Sequence, residues 1–497
     1  MAAILQALTI PWVAKPAGAR IDALCAALDQ QWEIFDQELR DGRLTHIDYD
    51  PERKTLVWRR PKADRQDEIQ DGIYGKLAVQ PIVDVFRFVN QACGFLSTLT
   101  PLQPRYAKKV ADEDELMAVI MARAMGFGTF GMAQACDIPY HVLEATDRQH
   151  IRPATLHDSC NRISNFIAGL PIFPLYTLDP EILYGSVDGQ KFAAGTPTIK
   201  ARYSRKYFGT GRGVVAYTLL ASHVPLETLL IGANEHESQY LFDICYRNST
   251  EIRPTVITGD MHSVNKANFA ILDWFGMRAA PRFTSLQAQI PHLFCAADIS
   301  RYAAFPLPPA GQIDRRLIAA ELDTIDRIVA TLALKETSQA ALVHKLCSLA
   351  PQNRARKAVF EYDKLVRSLY TLEYIRNPEL QRDVHRSQNR IEAYHQLRSV
   401  IAQIAGRKQL IGNTELDVFL TNQCGRLLAL VIVAYNSILL SAVLNRHHQA
   451  GDQAADARLQ KTSPVAWQSI LFLGRYAFHG PRQPIDLDAL LAAVNLL

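Results

Sequence analysis

A chain of 497 residues with 48% hydrophobic and 21% charged side chains has the composition of a globular protein of about two to four domains, which excludes a disordered one. A net charge of +4 is too small to argue for a nucleic-acid partner by itself, so the local clustering of charge has to carry that question. The eight cysteines, at 25, 93, 136, 160, 245, 295, 347 and 424, contain no C-x-x-C pair; this excludes a zinc ribbon or a dithiol redox motif and points away from a secreted disulfide framework, toward a reducing cytosol.

The opening stretch, MAAILQALTIPWVAKPAG, lacks a cationic start and is broken by Pro11, so it does not read as a signal peptide. Residues 1–110 are mixed and punctuated by proline. Their charged segment from Pro51 to Asp71 reads as an exposed hairpin or linker. From Asp112 to about Leu170 the pattern is helical, with acids opening the first helix at its positive end, and residues 111–180 are expected to form a helical scaffold. The formal GxGxxG at Gly126–Gly131 follows a helix rather than a strand, so it is not a dinucleotide loop. The segment MAQACDIPYHVLEATDRQHI has the length and central break of a helix-turn-helix, a pairing commoner as scaffold than as a DNA reader.

From Glu181 the period changes to that of strands. ILYGSVDG alternates, which sets Ser186 and Asp188 opposite Leu183 and Val187. GVVAYTLLAS and LETLLIGA are nearly continuous in apolar residues, hence central strands. HESQYLFDICYR is then helical, RPTVITGD a buried strand ending at Asp260, NKANFAILDWFG a helix stopped by Gly276, and MRAAPRF a short fifth strand. Residues 284–383 carry only helical patterns, and a further helix surrounds Glu392. Three strands, helix, strand, helix, strand is the frame of a ribonuclease-H-like α/β fold, a mixed sheet whose first and fourth strands are neighbours. The expected division is a first part of the core at 181–283, a helical insertion at 284–383, a core helix at 384–405 and a carboxy-terminal helical region at 406–497, with mainly α-helical regions flanking the sheet.

Asp188 and Asp260 would meet at one edge of that sheet, where two carboxylates repel unless a divalent cation lies between them. Two Mg²⁺ ions about 3.5–4 Å apart activate a nucleophile and stabilise the leaving oxygen of a phosphodiester, given a third acid. Glu392, in HRSQNRIEAYHQLRSVIAQI, is the candidate. It lies opposite the apolar stripe of Ile391, Tyr394, Leu397, Ile401 and Ile404, on a face filled by His385, Gln388, Gln396, Ser399 and Gln403. Glu392-Ala-Tyr-His395 also has the form E-x-x-H, half of a di-iron signature, but no second copy occurs. No P-loop is present, which argues against an ATP-driven motor. Between Asp188 and Glu227 there is no acid, whereas Lys191, Lys200, Arg202, Arg205, Lys206 and Arg212 lie there, interleaved with Tyr203, Tyr207 and Phe208. Leu427–Leu444 is uncharged for long enough to span a membrane, yet Tyr435, Asn436, Ser437 and Ser441 at its centre fit a buried core helix better; no membrane partner is expected.

The stretches YGSVDGQKF, KARYSRKYFGTGRGVVAYTLL, EHESQYLFDICYRN, VITGDMHSVNKANFAILDWFG and NRIEAYHQLRSVIA resemble the catalytic part of transposases of the Tn-three family, which mobilise class II replicative transposons. PIVDVFRFVNQACGFL upstream and SPVAWQSILFLGRY near the end extend the resemblance from about residue 70 to 480. It implies a D, D, E triad at Asp188, Asp260 and Glu392, separated by 72 and 132 residues, with two Mg²⁺ ions that Mn²⁺ can replace. It further implies nicking at transposon ends, attack of the freed 3′-hydroxyls on target DNA, phosphate contacts from the basic segment, a homodimer, and a bacterial cytoplasmic, nucleoid-associated location. Family members are longer, and their amino-terminal half recognises the terminal inverted repeats; residues 1–110 would be its remnant. The alternative expectation is a truncated, non-catalytic DNA-binding remnant that interferes with a full-length transposase.

Overall fold

Alternation of small or polar with apolar residues over Tyr184–Ala194 gives an eleven-residue strand, β1, that is mostly buried. The two apolar runs that follow, Arg212–Ala221 (β2) and Val224–Gly232 (β3), are buried along almost their whole length, as strands covered on both faces must be. In the computed structural model, which describes residues 8, 10–14, 16–50, 52–53, 55–60, 72–103, 111–179, 181–452, 454–480 and 484–494, β2 pairs antiparallel with β1 and with β3. Ser222 and His223 make the two-residue turn between β2 and β3, both with positive φ, as a tight hairpin matched to strand twist requires. Val256–Thr258 (β4) pairs parallel with β1, and Arg278–Ala279 (β5) parallel with β4. The sheet order is therefore β3-β2-β1-β4-β5, a mixed sheet in which the first and fourth strands are neighbours.

Helices cover both faces. Leu241–Arg247 (α1) and Asn268–Trp274 (α2) are the crossovers of the parallel part, and the long helix Arg354–Arg376 (α3) packs on α2. Asn377, whose side chain accepts from the Glu379 and Leu380 amides, and Pro378 at the first helical position start a second long helix, Pro378–Gln403 (α4), immediately after α3. On the same face a second small core joins Phe192, Val214, Ala216 and Leu230 to Ala402, Leu410 and Val418. Glu415–Gln449 (α5), opened by a reciprocal Thr414–Asp417 capping box, is long and apolar enough to cross a membrane, but 89% of its most apolar window is buried inside the protein.

Two stretches depart from the sequence expectations. Residues 284–314 hold two short 3₁₀ segments, Gln287–His292 and Ile299–Tyr302, and a short parallel pairing of Phe294–Cys295 with Gly311–Gln312, because Pro291, Pro306, Pro308 and Pro309 forbid a continuous α-helix there. The amino-terminal helix Ala17–Arg40 packs Ile21, Leu28, Trp32 and Phe35 into the core, and Trp32 Nε1 donates to the Phe294 carbonyl at 2.9 Å. Of the charged segment from Pro51, Thr55–Trp58 forms one arm of a hairpin with Ile47–Asp50, and residues 61–71 lie outside the described residues.

Candidate active site

Asp188 is positioned by β1, directly across from Thr218 of β2. The parallel pairing of β1 with β4 runs to Ser186 opposite Thr258. Two residues further along each line come Asp188 and Asp260, close enough for the Asp260 charge to add to the rise of the Asp188 carboxyl. Asp260 is not in the strand as expected but just past its end, where its carboxylate accepts from the His262 amide at 2.8 Å and caps a single 3₁₀ turn, Met261–Ser263. The His262 backbone, not its ring, makes that cap.

A third carboxylate, not foreseen, approaches from the segment after β3. Glu237 lies so close to the backbone at Gly189 that a Cβ there would stand 2.2 Å from Glu237 Oε1. The nearby Gly189 N–H favours the charged form of both Asp188 and Glu237, but burial outweighs this help for both. Burial first, and then the nearby Glu237 charge, push the Asp188 carboxyl up to about 7. Glu237 is raised as well, chiefly by burial, with Lys191 opposing.

The polar face of α4, rather than facing solvent, is laid on the sheet. Ser186 Oγ lies 2.5 Å from Ser387 Oγ, Gln388 Nε2 donates to Thr258 Oγ1 at 3.0 Å, and Gln190 Nε2 donates to the His395 carbonyl at 2.6 Å and to Ser399 Oγ at 2.8 Å. The helix therefore runs in the direction of β1, with 387 over 186 and 395–399 over 190. His395 Nδ1 stands 3.5 Å from Asp188 Oδ2. Burial drives the His395 pKa down to about 3, so the ring is neutral at pH 7 and this contact is not an ion pair.

Glu392 sits one turn beyond Gln388 on α4. Its side chain is 53% exposed, and its Oε1 lies 3.5 Å from Arg282 Nη2. The Arg282 backbone N–H donates to the Gly259 carbonyl at 2.7 Å, next to Asp260. The structure thus brings Asp188, Asp260 and Glu237 near one another and pairs Glu392 with Arg282. Among the described residues, no three His, Cys, Asp or Glu side chains are close enough together to hold a cation.

The basic segment forms a projection beside β2. Arg202 and Tyr203 pair with Gly213 and Arg212, and Arg205–Phe208 is one helical turn. Arg202, Arg205, Lys206 and Arg212 are exposed. Lys200 Nζ lies 3.9 Å from Glu415, and Lys191 Nζ lies 4.5 Å from the ring centroid of Tyr207. Lys191 therefore joins the projection to the carboxylates.

Sequence reasoning missed Glu237, His395 and Arg282. The signal for Glu237 was Gly189, a residue without a side chain immediately after the acid. The signal for His395 was its place one turn after Glu392 on a face poor in charge. Nothing local marked Arg282.

The family model for the Tn3 transposase DDE domain matches residues 84–476. The chain is 24% identical over 400 residues to the transposase for transposon Tn3926 of Escherichia coli, covering 80% of this chain and 39% of that protein. It is 24% identical over 427 residues to the transposase for transposon Tn501 of Pseudomonas aeruginosa, covering 85% and 42%. With the transposase for transposon Tn4556 of Streptomyces fradiae it shares 24% over 461 residues, covering 92% and 50%. The chain spans half or less of the length of these relatives. With the match extending over most of its residues, from before the first sheet strand to beyond α5, this chain belongs to the family of the Tn3 transposase DDE domain.

Proposed function

We propose that this chain is the catalytic region of a DNA transposase, built on a ribonuclease-H-like sheet, and that Asp188, Asp260 and Glu392 are its catalytic acids. The observation that carries the proposal is the parallel pairing of β1 with β4, which bears Asp188 within one strand and Asp260 just past the end of the other, next to the helix that bears Glu392. The substrates are transposon-end DNA, nicked to free a 3′-hydroxyl, and target DNA, to which that hydroxyl is joined. A homodimer and a bacterial cytoplasmic, nucleoid-associated setting belong to the same proposal.

The residues fit a divalent cation by their chemistry. All the donors are carboxylate oxygens, the set a hard ion such as Mg²⁺ or Mn²⁺ takes, and the crowding of Asp188 by Glu237 and Asp260 leaves negative charge that a cation would offset. Asp188, Asp260 and Glu392 would hold it, with Glu392 exchanging Arg282 for the ion. When bound, such ions supply charge neutralisation at the scissile phosphate and an activated attacking oxygen.

The chain's own residues do the rest. Asp260 is fixed by its cap, and Asp188 by the strand. His395, neutral and wedged beside Asp188, limits the rotation of that carboxylate without adding charge. Glu237 acts behind Gly189 as a further acid that sharpens the demand for a cation. Arg202, Arg205, Lys206 and Arg212 hold phosphates of the DNA, a contribution that weakens with salt.

The test is nicking of supercoiled DNA carrying transposon ends, with Mg²⁺ or Mn²⁺. Asp188→Asn and Glu392→Gln should each abolish nicking while leaving the fold intact; activity retained in both ends the assignment. The pairing of Glu392 with Arg282 favours a second reading, a non-catalytic DNA-binding role. That reading is supported if the wild-type chain binds such DNA and no metal produces a break.

A further inference from the structure

A cavity of about 580 Å³ opens on the side of Glu392, which lines it, while Asp188 and Asp260 do not. Segments far apart in the sequence build it, among them the stretch around Tyr74. The flank of α4 brings Arg386, Asn389, Arg390 and Gln396; the β2–β3 turn brings His223; and the loop after α5 brings Lys461, Trp467 and Gln468.

The loop is built into the fold rather than draped over it. Asn436, buried in the middle of α5, donates to the Pro464 and Ala466 carbonyls, both at 2.8 Å. Tyr74 Oη donates to the Ser463 carbonyl at 2.9 Å, and Ile470 pairs with Gln80. Behind it, Tyr176 Oη donates to the Thr462 carbonyl at 2.9 Å while its ring meets His223 edge-on at 4.8 Å, and the Tyr176 carbonyl accepts from Arg390 at 2.6 Å. These bonds explain why a helix with the composition of a membrane span carries an asparagine at its centre.

The walls therefore combine an indole on an anchored loop, side-chain amides, the Glu392 carboxylate and three basic side chains, of which Arg386 also pairs with Asp383 at 3.7 Å and Arg390 with the Tyr176 carbonyl. An indole face suits any nucleobase, amides suit its edge, and guanidinium and ammonium groups suit its phosphate. The volume is that of a small-molecule site, ample for one nucleotide and far too narrow for a duplex. We propose that the cavity takes one unpaired nucleotide of the DNA strand, stacked on Trp467 next to the phosphodiester presented to Glu392. This rests on the catalytic reading of Glu392. The site then needs a strand locally out of its helix, and unstacking that base is what the indole offsets.

The test uses the full chain, a fluorescein-labelled short oligothymidylate, and a duplex of the same length. Trp467→Ala should weaken single-strand binding about tenfold and duplex binding by less than about twofold. Trp467→Phe should restore most of the affinity, which separates stacking from damage to the loop. Unchanged strand binding by Trp467→Ala, an equal weakening for strand and duplex, or displacement of the oligonucleotide by ATP at equal nucleotide concentration would each overturn the proposal. Asp188→Asn, measured in parallel, should bind the strand like the wild type and fail to nick. If it nicks, the catalytic reading falls on its own; if it is inactive while Trp467→Ala still binds the strand normally, only the cavity proposal falls.

Discussion

Arg282 Nη2 lies 3.5 Å from Glu392 Oε1, while the backbone of the same arginine is bonded to the carbonyl preceding Asp260. One arginine thus spans the gap between two proposed catalytic acids. An ion pair whose carboxylate is 53% exposed contributes less than about 1 kcal/mol, which is weak enough for a divalent cation to displace. Arg282→Gln is therefore expected to change stability by less than about 1 kcal/mol, measured by chemical denaturation. It should also lower the Mg²⁺ concentration needed for half-maximal nicking severalfold. An unchanged metal titration would show that the arginine does not compete with the ion.

Gly189→Ala places a methyl 2.2 Å from Glu237 Oε1 and 2.6 Å from Val215 Cγ1. The space is taken by a carboxylate and a core valine, so overpacking should cost about 1–3 kcal/mol. Because Glu237 and β1 are both displaced, nicking should fall at least about tenfold. Adding Glu237→Ala to this variant should recover part of the stability and none of the activity. Recovery of both would remove Glu237 from the proposed site.

The raised Asp188 carboxyl has a definite sign in a pH titration. Unfolded, it loses its proton near about 4; folded and free of metal, it keeps the proton up to about 7. Its contribution to stability is thus fully present below about pH 4 and is lost as pH rises toward 7. In chelator, the wild type should lose more stability than Asp188→Asn between about pH 5 and pH 8. Above pH 7, Mg²⁺ should raise the melting temperature of the wild type and not of Asp188→Asn. Parallel pH profiles for the two proteins would contradict the burial of this charge.

The basic projection is separable from the acids. Replacing Arg202, Arg205 and Lys206 together by alanine should weaken DNA binding at low salt. It should flatten the slope of log K against log salt by about 0.9 for each phosphate that is no longer neutralised. These exposed side chains support no core, so the melting temperature should stay where it is. An unchanged slope would put the DNA path elsewhere.

Much of the fold could be read from periodicity. The alternation around Asp188 and the two continuous apolar runs gave β1, β2 and β3, and Gly276, with its φ of +76°, ends the α2 region as expected. The face of α4 could not be read in this way. Gln388, His395 and Ser399 look polar enough for solvent, yet this stretch packs on Thr258 and Gln190, because a polar patch on a sheet face can bury a polar helix face once its hydrogen bonds are met. Glu237 and Arg282 lay beyond reach for a different reason. Each is placed by tertiary packing against a glycine, Gly189 or Gly259, whose partner no local pattern names. The proline-rich turns at 284–314 were misjudged because short apolar runs between prolines imitate helix spacing.

The helix α5 behaves as a ruler. Near its start Glu415 reaches Lys200 of the basic projection, a third of the way along Arg426 grips Glu227 at the far end of the sheet, and beyond them Asn436 anchors the loop of Trp467. Adding or deleting one residue inside it would swing every later side chain by about 100° about the axis, parting the indole from the cleft and unseating the buried side chains beyond the change. Length variation among relatives should therefore avoid this rod and collect in its neighbours.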